Sequence, residues 1–140
     1  MIAGWTLRLA LTVGLILMGW LAFRLTQRLN LQRAGKVSHQ IESGQSELPT
    51  IVYFTTPDCV PCKVAQRPAL HRLEEMLDHR LQVIEVNTYE RPDMAREWGV
   101  MSVPTTFILD EQGKPRQVNY GVTPAEKLYE QVRKANPAGS

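Results

Sequence analysis

The sequence predicts a mixed α/β domain, with a central sheet of about four strands flanked by helices, preceded by one N-terminal membrane-spanning helix. Three observations predict it. From residue 50 onward, short β-rich runs alternate with segments of helical periodicity. The first two runs are separated by a long helical stretch and the last two by a tight turn, which sets parallel against antiparallel pairing. The charge is also unevenly distributed. Residues 1–40 hold five basic residues and no acid, whereas 41–140 carries eleven bases and fourteen acids, a net −3. The chain therefore divides into an anchor (1–25), a linker (26–49) and one folded domain (50–136), as a length of 140 residues allows. With 44% hydrophobic and 21% charged residues it is neither disordered nor fibrous, and a net charge of +2 gives no reason to expect nucleic acid as a partner. Two cysteines exclude a four-thiolate zinc site and a multi-bridge framework.

The elements follow in order. Residues 9–23 are uncharged and apolar all round a helix, between Arg8 and Arg24. An amphipathic surface helix would show a polar face. Fifteen residues rise about 22 Å, short of a hydrocarbon core of about 30 Å, but residues 2–7 extend the run and the two arginines can snorkel to the headgroups. Trp5 and Trp20 stand where interfacial rings belong. Membrane lipid is thus an expected partner. A cleaved signal peptide has the same apolar length, although no A-x-A site follows, and a buried helix is the third reading. Four basic residues follow the run and one precedes it, which places the soluble domain on the cytoplasmic side; a signal-anchor inserted the other way would place it outside. The linker begins as a continuation of the helix, and Ser43-Gly44-Gln45-Ser46 breaks it. His39, in this linker, carries no signal.

In the domain, Ile51-Val52-Tyr53-Phe54 reads as a buried strand. A helix is expected from Cys59 to about Asp78, with Val64, Leu70, Leu73, Met76 and Leu77 as its apolar positions and Pro68 kinking it. Leu81 to Val86 reads as a second buried strand. Pro92 opens a short helix that ends near Trp98, a core residue, with Gly99 as its stop. Thr105 to Leu109 and Arg116 to Tyr120 form an antiparallel pair about the turn at 110–114. Thr123-Pro124-Ala125-Glu126 has the composition of a capped helix start, with Thr123 as the cap.

The chemistry lies in Cys59-Val60-Pro61-Cys62, where the first strand's loop meets a helix start. Unpaired amides and the macrodipole there favour an anion, so a thiolate at Cys59 is stabilised and its pKa is expected below the free value of about 8.5. Only the thiolate attacks a disulfide. Cys62, one turn on, can reach back to resolve a mixed disulfide, and Pro61 fits a first turn where its missing N–H costs nothing. A structural disulfide, a metal site with His71 or His79, and two inert buried cysteines are the other readings. A bridge closing so short a loop adds little stability.

Phe54, Cys59-Val60-Pro61-Cys62-Lys63 and, about forty residues later, Trp98-Gly99-Val100-Met101-Ser102-Val103-Pro104-Thr105 resemble the thioredoxin family over roughly residues 50–135. The resemblance implies a thioredoxin fold and thiol–disulfide exchange with protein substrates, without a cofactor or metal. It also implies a cis Val103–Pro104 bond, with Val103 and Pro104 holding the substrate beside Pro61. A cis proline makes a sharp turn that leaves Val103's backbone to pair with a bound strand. Met101 and Gly121 would line the same groove; a plain turn glycine is the other reading of Gly121, and a simple strand-start proline that of Pro104. Reduction is the expected direction, with electrons from another protein or a thiol pool. A non-catalytic membrane-tethered adaptor of the same fold is the alternative.

Three positions depart from the family. Asp58 stands where a tryptophan usually precedes the first cysteine, and its charge opposes a thiolate at Cys59 unless it turns to cap the helix. Tyr53 occupies the place of a buried aspartate, and Glu85 aligns with a strand lysine. Glu85 is therefore the candidate proton acceptor for Cys62; a surface or ion-paired glutamate, with Lys63 as its partner, is the other reading.

Overall fold

The structure is a computed structural model that describes residues 2–37 and 48–137. The chain forms two compact units, Met1–Asn30 and Leu31–Ser140.

The first unit is the greater part of one long helix. Helix α1 spans Ile2–Val37, 36 residues or about 54 Å. Its segment Gly4–Leu29, with mean hydropathy 1.8, is long and apolar enough to cross a membrane; a signal sequence meets the same test. Leu, Ile, Val and Trp side chains are exposed on every side, from Trp5 to Leu29. The hydroxyls of Thr12 and Thr26 donate back to Leu9 and Ala22 carbonyls at 2.9 Å, so they satisfy themselves within the helix. The Arg24 guanidinium lies 4.5 Å from the centre of the Trp20 ring, a cation–π contact at the end of the apolar run. The expected break at Ser43-Gly44-Gln45-Ser46 lies outside the described residues.

The second unit is built on strands β1 (Thr50–Thr55), β2 (Gln82–Asn87), β3 (Thr105–Leu109) and β4 (Pro115–Tyr120), with helices α2 (Arg67–Met76), α3 (Pro92–Glu97) and α4 (Ala125–Ala135). The sheet order is β2-β1-β3-β4. β1 runs parallel to β2, and β3 antiparallel to β4, as the connection lengths require; β1 is also antiparallel to β3. β1 and β3 are central and buried throughout. Alternate residues of β1 feed two cores. Ile51 and Tyr53 pack with Leu70, Leu73, Leu128 and Val132 of α2 and α4, while Val52 and Phe54 pack with Met94, Trp98 and Phe107 on the α3 side. Trp98 is fully buried, its ring edge-on to Phe107 at 4.9 Å.

Three expectations are corrected. β2 is not a buried strand: of its six residues only Val86 is buried, and among the described residues the sheet continues from it on one side alone. The single kinked helix is instead a helical start at Val60, a π-helical turn over Cys62–Gln66, and then α2. In this arrangement the Arg67 N–H donates to the Cys62 carbonyl, five residues back, and Pro68 falls in the first turn of α2, where a missing N–H is tolerated. Val64, within the π-helical turn, is exposed. Met76 is exposed as well. Finally, Thr123 does not cap α4. Pro124 holds the cap position in extended conformation, and Thr123 is bonded elsewhere, as described below.

Candidate active site

The site forms at the carboxyl end of β1. The strand delivers the chain to a turn closed by the Cys59 N–H on the Thr56 carbonyl at 3.3 Å. Helical backbone begins at Val60, so Cys59 is the residue that caps it. The Lys63 N–H donates to the Cys59 carbonyl at 3.3 Å, and the Cys62 N–H donates to Cys59 Sγ at 3.2 Å. The sulfur thus takes the place that a serine or aspartate oxygen takes in an ordinary cap. Pro61 lies in the first turn with φ −58°.

Cys59 and Cys62 are joined as a disulfide with their Cα atoms 5.3 Å apart. Their environments differ. Cys59 keeps 7% of its surface exposed and Cys62 none. A partner can therefore reach only the first sulfur.

The second cysteine is held from two sides. Its carbonyl accepts the Arg67 N–H and, at 3.4 Å, the hydroxyl of Tyr53. Burial of Tyr53 is the main cause that pushes its hydroxyl above the ordinary tyrosine value, so it stays a neutral donor. At the far end of the turn, Gln66 is wholly buried. Its Oε1 accepts the Thr123 N–H at 2.9 Å and its Nε2 donates to the Thr123 carbonyl at 3.3 Å. The sequence reading missed Gln66. The available signal was its spacing, four residues after Cys62 and four before Leu70, on the face that turns inward.

The Val103–Pro104 bond is cis. Thr105 pairs with Phe54, so this bond lies at the same sheet end as the cysteines. Pro104 is buried, and its carbonyl accepts the Gly121 N–H at 2.8 Å, from a glycine with φ +85°. Val103 packs against the core cluster that contains both cysteines. An open groove of ≈ 590 Å³ runs alongside, lined by Thr56, Tyr89, Arg96, Met101 and Val103 among others, with Met101 strongly exposed.

Glu85 stands opposite Tyr53 in the β1–β2 register. Its carboxylate accepts from Arg67 at 2.6 Å, with both side chains nearly half exposed, so its ion partner is Arg67 and not Lys63. Asp58 does not turn to the helix. Its Oδ2 accepts the hydroxyl of Tyr89 at 3.2 Å, a contact across 31 residues that leaves no local signal in the sequence. Among the described residues no group of three or more His, Cys, Asp or Glu is placed to hold a metal, and His71 lies against Glu74 at 3.4 Å.

The family model of a thioredoxin-like domain matches residues 38–136 of this chain. A thioredoxin of Bacillus subtilis (strain 168) is 33% identical over 89 residues, which cover 64% of this chain and 84% of that protein. Thioredoxin 1 of Nostoc sp. (strain PCC 7120 / SAG 25.82 / UTEX 2576) is 29% identical over 89 residues, covering 64% of this chain and 81% of that one. Among solved structures, chloroplastic thioredoxin z is similar with a TM-score of 0.60 at 27% identity, over 69% of this chain and 88% of that chain.

Proposed function

The chain belongs to the thioredoxin family and is a thiol–disulfide oxidoreductase, and from that premise we propose that it reduces disulfides of protein substrates at a membrane surface. The observation that carries this reading is the unequal pair at the helix start: an accessible Cys59 whose sulfur accepts a main-chain N–H, backed by a fully buried Cys62.

The reduced protein begins the cycle. The Cys59 thiolate attacks one sulfur of a substrate disulfide; the other substrate sulfur departs as a thiolate and takes a proton. Cys62 then loses its proton and attacks Cys59 Sγ, releasing the second substrate sulfur. Two electrons pass to the substrate, and the chain is left with the Cys59–Cys62 disulfide. A thiol or dithiol donor, carried by another protein or a thiol pool, restores the pair by the reverse exchange. Pro61 shapes the turn presented to the partner. Val103, whose backbone groups make no hydrogen bond among the described residues, offers them to an extended substrate segment beside Pro104. Glu85 is the carboxylate we assign to take the Cys62 proton, in competition with its pairing to Arg67.

The test is insulin reduction by the full chain in detergent, with dithiothreitol as donor. Turnover is expected in the wild type and is lost in Cys59→Ser. A folded wild-type protein without turnover overturns the reading in favour of the adaptor.

We also propose that α1 anchors the protein with the redox domain on the cytoplasmic side, on the strength of Arg24, Arg28, Arg33 and Lys36 following the apolar run. Protease added to intact cells should leave the domain whole. Digestion from outside overturns the orientation, and recovery of a shortened soluble chain overturns the anchor.

A further inference from the structure

We propose that Tyr89 is a positioning residue for the attacking thiol: by holding the Asp58 carboxylate away from the helix start, it leaves the Cys62 amide to Cys59 Sγ. The inference rests on the assignment of Cys59 as the attacking sulfur.

Asp58 immediately precedes the capping residue. A free carboxylate there is a strong competitor for the amides of the first helical turn, since an aspartate oxygen accepts such bonds better than sulfur does. The amide at stake is that of Cys62, which donates to Cys59 Sγ at 3.2 Å. Losing it, with the negative charge drawn in beside the sulfur, disfavours the thiolate twice over. The structure shows the carboxylate turned the other way, onto the Tyr89 hydroxyl at 3.2 Å.

Tyr89 is held for this task by its backbone and not by its ring. It lies in the turn after β2, where its N–H donates to Asn87 Oδ1 at 3.0 Å. The flanking Thr88 N–H donates to the Thr55 carbonyl and the Arg91 N–H to the Asn87 carbonyl, each at 2.9 Å. The residue is 64% exposed, so core packing does not account for its position. The Asp58 carboxylate, bonded to it, raises the Tyr89 hydroxyl above the ordinary tyrosine value, which keeps it a donor throughout the working range.

The elements around the site carry other ionisable groups. Lys63 is on the same helical segment, Tyr53 on β1, and Glu85 on β2 paired with Arg67. Arg96 of α3 shares the groove wall with Tyr89, and Glu126 of α4 is paired with Arg72.

The test is the pH profile of iodoacetamide alkylation of the reduced full chain, in wild type, Tyr89→Phe, Asp58→Asn and the double variant. Cys59→Ser serves as control for which sulfur reacts. Tyr89→Phe is expected to raise the apparent pKa of Cys59 by about half a unit, seen as a roughly threefold slower reaction below it. Asp58→Asn lowers that pKa, and adding Tyr89→Phe to it changes nothing further. An unmoved or lowered profile in Tyr89→Phe overturns the inference, as does an equal shift with and without Asp58. If wild-type Cys59 resists alkylation altogether, the thiol assignment fails instead, and the control identifies that case.

Discussion

Gln66 grips Thr123 at both of its main-chain polar groups, across 57 residues of sequence, and so ties the π-helical turn behind Cys62 to the segment that leads into α4. Both partners are buried, and water is not at hand to replace either bond. Gln66→Leu keeps the volume and removes both bonds, leaving a buried N–H and a buried carbonyl unpaired. The expected loss is about 1–3 kcal/mol of unfolding free energy, read from urea denaturation. A midpoint equal to wild type would show that the clamp adds nothing.

The unequal exposure of the two sulfurs predicts unequal variants. Cys62→Ser should accumulate a mixed disulfide with substrate, visible as a mass adduct that dithiothreitol removes, because attack proceeds and release does not. Cys59→Ser should form none, since Cys62 has no exposed surface. An adduct of similar yield on both variants contradicts this order of attack.

Glu85→Gln separates a proton acceptor from a mere partner of Arg67. In the proposed role, the substitution slows release of the mixed disulfide and moves the pH dependence of that step upward. The paired glutamate alone is worth at most about 1 kcal/mol at such exposure, and its loss leaves the pH profile where it was. Single-turnover rates between pH 6 and 9 decide the matter.

Asp93 supplies a pH dependence of stability that is independent of the thiols. A backbone hydrogen bond at Met94, in the first turn of α3, is the main cause that holds its carboxyl below the ordinary value of 3.8, with Arg91 adding to it. A carboxyl depressed in the folded state stabilises above its unfolded value, and that contribution fades as the pH falls below 3.8 toward the folded value. Asp93→Asn should therefore narrow the difference between thermal midpoints measured at pH 5 and pH 2.5. An identical pH dependence in the two proteins refutes the assignment.

The sheet was legible because its signals are local. Ile51 to Phe54 and Thr105 to Leu109 are unbroken β-rich runs, and connection length alone fixed how their neighbours pair. The dithiol was legible from its place between strand and helix. The cis bond before Pro104 came only with the family resemblance, since nothing in the run itself distinguishes the two isomers. What escaped depends on partners far apart in sequence. Tyr89 meets Asp58 across 31 residues, and the bonds of Gln66 reach further still. Burial of β2 was overestimated for a related reason: composition describes a strand's own residues, but whether a neighbour lies on each side is a property of the whole sheet.

Among the described residues two strands border the sheet, β2 and β4, and each presents a row of main-chain donors and acceptors to whatever approaches. Gln82, Glu85 and Asn87 line one border; Pro115, Arg116 and Gln117 line the other, beside a bulge at Ile108/Leu109. Charge, proline and irregular register all discourage another polypeptide from extending the array. Copies brought close together would thus stay separate, free of the fibrillar stacking that bare β edges invite.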